Sequence, residues 1–137
     1  MTRILYRIAA VLILVLDIGH SSGYPWSDPA WGVDLRTIQS SHFTIFGFSR
    51  TYWDFYVGFG MSISVYLLLA AVLTWQLGTV ATQRLGFVRT MAWTLTCCFA
   101  AITLLSYKYF FSIPIALSSV TTALLAAAAW RSGREAT

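Results

Sequence analysis

Four side chains able to exchange protons, Asp17, His20, His42 and Asp54, stand inside or beside long apolar runs of this chain. Asp17 and His20 are three residues apart, so on a helix they share a face. A carboxylate next to an imidazole orients the ring and raises its basicity, an arrangement suited to acid–base work. Asp54 follows Arg50 by four residues and is surrounded by aromatics; an apolar setting disfavours its charged form and would let it serve as an acid. Together they could protonate an alkene or epoxide, or shift a double bond, in a lipophilic substrate. Asp54 would be the general acid, His20 the base, Asp17 its orienting partner and His42 a helper from the loop. Each also has a plain structural reading. Asp54 suits a helix N-terminus and could pair with Arg50, Asp17 could bond hydroxyls between helices, and His20 could cap its helix. No spacing motif supports a metal site, and no cofactor is implied.

Aromatic residues crowd the same region. Between Phe43 and Phe59 there are eight in seventeen residues, including Phe46, Phe48, Tyr52, Trp53, Phe55 and Tyr56. Trp and Tyr favour a membrane interface, so one reading is an aromatic belt. The other is a lining for a small lipophilic ligand, with Phe46, Tyr52, Trp53, Tyr56 and Phe59 touching it and their faces stabilising a developing cation.

Composition says what must position these residues. Of 137 residues 58% are hydrophobic and 10% charged, and 55–83, 90–107 and 109–130 contain no charge. A soluble domain carries about 25% charged residues, so most soluble enzymes, a disordered chain and a nucleic-acid module are excluded. A bilayer core about 30 Å thick takes about 20 apolar helical residues to cross, and in lipid every backbone group must be bonded within a helix or a closed barrel. With long unbroken runs and no period-2 alternation recognised, the expectation is an all-α single transmembrane domain of four helices. They span about 4–20, 53–78, 88–107 and 110–130. Gly78 and Gly86 punctuate the short second connection, Tyr107–Tyr109 form the third, and Pro114 falls in the first turn of the last helix. The loop 21–52, with Pro25, Pro29 and two Trp, is expected to hold short surface helices.

Six of the nine basic residues (Arg3, Arg7, Arg84, Arg89, Arg131, Arg134) fall on one side of this topology, against Arg36, Arg50 and Lys108 on the other. The positive-inside rule then puts both termini in the cytoplasm and the long loop outside. The net charge of +4 follows from that distribution and does not imply nucleic acid. The first span also resembles a signal peptide, but Asp17 interrupts its apolar run, which favours a retained anchor.

Cys97 and Cys98, adjacent in the third span, are expected to be packing residues rather than a disulfide or redox pair. Small-residue stripes supply the contacts between helices in lipid: Gly58/Ser62 and Gly60/Ser64, Thr90/Thr94/Cys98, and Ser119/Ala123/Ala127 with Ser118/Thr122/Ala126. They would serve a four-helix bundle, and equally a homodimer.

Two segments, Asp17-Ile18-Gly19-His20-Ser21-Ser22-Gly23 and Arg50-Thr51-Tyr52-Trp53-Asp54-Phe55-Tyr56-Val57-Gly58-Phe59-Gly60, resemble a family of small uncharacterised bacterial four-helix integral membrane proteins. In that family a G-H-[ST]-x-G turn precedes a [ST]-Y-W-D-F-Y-x-G-F-G helix start. The resemblance spans nearly the whole chain and implies four spans in a bacterial inner membrane; it transfers no activity. A looser likeness of shape links the chain to sterol-isomerase-like and DoxX-like membrane proteins, and fold alone does not give function. The leading expectation is a site, opening to the outer leaflet, for a lipid or other lipophilic small molecule, with acid–base isomerisation or cyclisation as its chemistry. The competing expectations are a non-catalytic accessory subunit of a membrane complex and, third, an oligomeric transporter.

Overall fold

The computed structural model describes residues 1–23, 34–81 and 85–134. Four helices are long and apolar enough to cross a membrane, α1 (Thr2–Gly23), α3 (Tyr52–Val80), α4 (Leu85–Tyr109) and α5 (Ser112–Arg134), so the all-α four-span class is observed. Each runs a few residues past its hydropathy run, because polar residues at the ends of a span can continue the helical hydrogen-bond ladder. Between α1 and α3 lie a short helix α2 (Leu35–Ser40) and two strands, β1 (His42–Ile45) and β2 (Phe48–Thr51). The loop prolines and Trp26 and Trp31 lie outside the described residues.

The chain divides into two compact units, one of Met1–Asp17 with Leu67–Thr137, the other Ile18–Tyr66. In the first, all four helices contribute to one core. Tyr6, Ala9, Ile13 and Leu16 of α1 recur at three- and four-residue spacing and meet Leu67, Ala71 and Leu77 of α3, Val88, Ala92 and Phe99 of α4, and Leu125, Ala128 and Ala129 of α5. Lipid is as apolar as these side chains, so close approach and hydrogen bonds hold the bundle. Gly78 shows why. A Cβ there would lie 3.1 Å from the Tyr6 Cβ and 3.4 Å from the Arg3 carbonyl oxygen. Gly78 therefore sits inside α3 as a contact point, not at a helix end as its residue type had suggested; breaking the helix at membrane depth would strand backbone groups. The Tyr6 hydroxyl in turn lies 3.3 Å from Ser132 Oγ on α5. The Arg7 guanidinium stacks on Trp75, 3.5 Å from the ring centre, and donates to Thr79 Oγ1 at 2.9 Å.

The third connection is shorter and later than the sequence suggested. α4 continues through Lys108 to Tyr109, closed by the Phe110 amide donating to the Ser106 carbonyl at 2.9 Å, and only Phe110 and Phe111 join it to α5. A lysine in the last helical turn complements the macrodipole and does not end the helix. Pro114 lies in the first turn of α5, as expected.

The expected stripe on α4 is corrected. Thr90, Thr94, Cys97 and Cys98 are exposed, and the packing face is Val88, Ala92, Thr96 and Phe99. Both cysteines are free thiols on the outer surface of the helix, not packing residues. Thr90 and Thr94 satisfy their hydroxyls on their own helix, donating to the Gly86 and Thr90 carbonyls. On α5 the buried face is Ser118, Thr121, Leu125 and Ala128, so of the two expected stripes only Ser118 lies at its centre.

In the second unit, β1 and β2 form an antiparallel hairpin pairing His42 with Thr51 and Ile45 with Phe48. A two-residue turn, Phe46-Gly47, joins them with φ of +50° and +84°. Positive φ at both turn positions matches the right-handed strand twist, and Gly47 meets it without strain. The alternation His-Phe-Thr-Ile over 42–45 is the period-2 pattern overlooked in a chain dominated by helical runs. Thr51 is followed directly by α3, without a linker residue.

Candidate functional site

Three of the four proton-exchanging residues, His20, His42 and Asp54, belong to the Ile18–Tyr66 unit, whereas Asp17 is assigned to the other, where it is 8% exposed. His20 lies in the last turns of α1. Its Nε2 is 3.0 Å from the Gly60 carbonyl oxygen on α3. A carbonyl can only accept, so Nε2 carries the proton and donates. One residue further, Ser21 Oγ and Ser64 Oγ are 2.8 Å apart. These two contacts fasten the end of α1 to α3, and the Gly60/Ser64 stripe expected from the sequence supplies both partners.

Asp54 opens α3 in a reciprocal cap. Its Oδ2 accepts from the Thr51 amide at 2.8 Å, and its own amide donates to Thr51 Oγ1 at 3.1 Å. This is a capping box with aspartate in place of glutamate, and it satisfies donors that a helix start otherwise leaves unpaired. The expected partner, Arg50, is near enough with His42 to act on the Asp54 charge, but its hydrogen bond goes to the Ser49 carbonyl at 2.7 Å and its guanidinium lies 5.6 Å from the Phe48 ring. His42 Nδ1 is 3.5 Å from Ser49 Oγ across the hairpin.

The aromatic residues form two groups. Phe43 of β1 lies 5.2 Å from Tyr52 and 5.0 Å from Phe55, and Phe55 lies 5.6 Å from Phe59, in tilted and edge-on geometries. Tyr52, Phe55 and Phe59 are three and four residues apart, so the chain of rings runs along one exposed face of α3. Trp53 and Tyr56 make a second pair, 5.4 Å apart and half-buried. Phe46 stands at the hairpin tip, 97% exposed. Sequence reasoning grouped these rings by proximity in the chain. It missed Phe43 as the ring that joins hairpin to helix, which the alternation of β1 would have marked.

Chemically this unit offers an open aromatic face, Tyr52, Phe55 and Phe59 with Phe43 packed against it, and in the same unit two imidazoles and a carboxylate. Among the described residues no group of three or more His, Cys, Asp or Glu side chains gathers as a metal site. No protein-family model, curated protein or solved structure matches this chain.

Proposed function

We propose that this integral membrane protein holds a small lipophilic molecule, a lipid or isoprenoid, against the aromatic face of its Ile18–Tyr66 unit. The observation that carries the reading is the continuous line of rings from Tyr52 through Phe43 and Phe55 to Phe59, in the same compact unit as His20, His42 and Asp54. Aromatic faces bury apolar ligands with little loss of side-chain freedom, and the few polar groups at the border fix orientation. In this reading the unit faces the outer side of a bacterial plasma membrane and both termini lie in the cytoplasm, an orientation that the excess of arginines on the other side supports through the positive-inside rule.

Isomerisation or cyclisation of the bound molecule is the catalytic form of the same reading, with Asp54 as acid, His20 as base and His42 assisting. His20 Nε2 and the Asp54 carboxylate already serve backbone partners, so binding is the part that the geometry supports best. The test is purification in mild detergent, extraction, and mass spectrometry of co-purifying lipids. The expected result is a stoichiometric lipophilic species whose retention falls about tenfold or more in Phe55→Ala and Phe59→Ala, since burying such a ring contributes about 1.5–3 kcal/mol. Phe111→Ala, at the α4–α5 connection, should retain it. Equal retention in all three variants would remove the aromatic face from the site.

A second reading, an accessory subunit or homodimer, is favoured by the exposed stripe Thr90, Thr94 and Cys98 on α4, small side chains that allow another helix to approach closely. It predicts disulfide cross-linking through Cys98 in membranes, which the binding reading does not require.

A further inference from the structure

The β1–β2 hairpin has two chemically distinct faces. Its register pairs Phe43 with Arg50 and Ile45 with Phe48, alternating with His42 opposite Thr51 and Thr44 opposite Ser49. Successive strand side chains point to opposite sides, so Phe43, Ile45, Phe48 and Arg50 share one face and His42, Thr44, Ser49 and Thr51 the other. Phe43, at the base of the apolar face, is covered by Tyr52 and Phe55. Beyond it, among the described residues, the face is open: Ile45 is exposed, Phe48 is 64% exposed, and Phe46 at the tip is 97% exposed.

The turn sharpens the question. Its first residue needs positive φ, a position usually filled by Asn, Asp or Gly, yet it holds Phe46 at +50°. A bulky aromatic side chain is thus kept in a strained backbone conformation and pushed out of the molecule. Strain of this kind is retained where the side chain has a task. A two-stranded hairpin is also marginally stable alone in water, so an uncovered apolar face on it calls for an apolar surrounding.

Position and charge identify that surrounding. β2 ends at Thr51 and the spanning helix α3 begins at Tyr52, so the hairpin is tethered at the leaflet where α3 enters. Arg50 stands on the same face as the exposed rings, with its guanidinium 5.6 Å from Phe48, the arrangement in which an interfacial element meets lipid phosphate beside its apolar anchors.

We infer that the hairpin is a membrane-inserting finger. Phe46, Phe48 and Ile45 enter the leaflet in which α3 begins, Arg50 pairs with a lipid phosphate, and His42, Thr44 and Ser49 stay in water. An amphipathic element of this type buries its apolar face about 5–10 Å into the boundary between headgroups and acyl chains.

The test uses the full chain carrying Cys97→Ser and Cys98→Ser, reconstituted in phosphatidylcholine vesicles with and without phosphatidylglycerol. Single cysteines are introduced as Phe46→Cys and Phe48→Cys on the apolar side and Thr44→Cys and Ser49→Cys on the polar side, then labelled with an environment-sensitive fluorophore. Labels at 46 and 48 should emit to the blue, be quenched by spin-labelled lipid and be shielded from aqueous iodide; labels at 44 and 49 should show the reverse. Adding Arg50→Gln should weaken any deepening caused by phosphatidylglycerol. Equal access of iodide to all four positions overturns the inference. So does shielding of 46 and 48 without quenching by the lipid label, because a second copy of the chain would then be covering the tip. All four positions are exposed, so the variants leave the core untouched.

Discussion

Thr51 and Asp54 cap each other: the Asp54 carboxylate accepts from the Thr51 amide at 2.8 Å while the Thr51 hydroxyl accepts from the Asp54 amide at 3.1 Å. This exchange stands where the last residue of a strand becomes the start of a membrane-spanning helix, and it allows hairpin and helix to join without a linker. It also sharpens the question of Asp54 as an acid, because one of its two carboxylate oxygens is already engaged by a backbone donor.

Asp54→Asn therefore separates the two roles. An amide oxygen still accepts from the Thr51 amide, so hydrogen exchange at Thr51 should stay slow in Asp54→Asn and become fast in Asp54→Ala, whereas Thr51→Val should instead quicken exchange at the Asp54 amide. Loss of lipid retention or turnover in Asp54→Asn while the Thr51 amide stays protected would give the carboxyl a task beyond capping. Full retention would confine it to the cap.

Gly78 and Gly58 should respond oppositely to alanine. A Cβ at Gly78 meets Tyr6 and the Arg3 carbonyl, whereas one at Gly58 meets nothing within 4 Å. Overpacking against a backbone atom costs about 1–3 kcal/mol, so Gly78→Ala should lower the unfolding midpoint in mild detergent by several degrees. Gly58→Ala should leave it unchanged or raise it, since alanine favours helix by about 1 kcal/mol over glycine. Equal midpoints for the two would argue against the α1–α3 contact at Tyr6.

These cases show what the sequence could and could not disclose. The four spans were legible because crossing lipid leaves no alternative to long apolar helices, and Pro114 was placed correctly because it is tolerated only in a first turn. Which face of each helix packs was not legible. In a span apolar on every side, small residues at four-residue spacing occur on the outer side as readily as within the bundle, so the spacing of Thr90, Thr94 and Cys98 left bundle and homodimer open, and their exposure removes them from the bundle. The hairpin was hidden for a different reason. Four-residue strands such as His42–Ile45 offer only two periods of alternation, which a hydropathy window long enough to detect spans averages away. The commitments of His20 to Gly60, His42 to Ser49 and Asp54 to Thr51 depend on tertiary and turn geometry that residue types alone do not contain.

The corrected face of α4 predicts a contrast within three residues. Cys97 and Cys98 are exposed, so serine at either should change stability by no more than about 0.5 kcal/mol. Phe99 is 1% exposed in the core, and Phe99→Ala should cost about 3–5 kcal/mol through lost contacts and a cavity. Unfolding of the three variants in the same detergent measures this directly. A serine variant as damaging as Phe99→Ala would return the cysteines to the packed face.

Acidification should loosen α2. Asp34 caps this six-residue helix, its Oδ2 accepting from Thr37 Oγ1 at 2.7 Å and its Oδ1 from the Arg36 amide at 3.1 Å. The Thr37 hydroxyl, and then the backbone amides of Arg36 and Thr37, hold the Asp34 carboxyl below the usual aspartate range. Its folded pKa is depressed, so its contribution to α2 is complete above the unfolded value and is lost as pH falls through the folded one. Amide exchange at Arg36 and Thr37 should accordingly stay flat at neutral pH and quicken only below the ordinary carboxylate range. Asp34→Asn should abolish that pH dependence while keeping part of the protection, because its amide oxygen can still accept but no longer titrates. Quickening in the wild type at a pH above the ordinary range would mean that another group governs the helix.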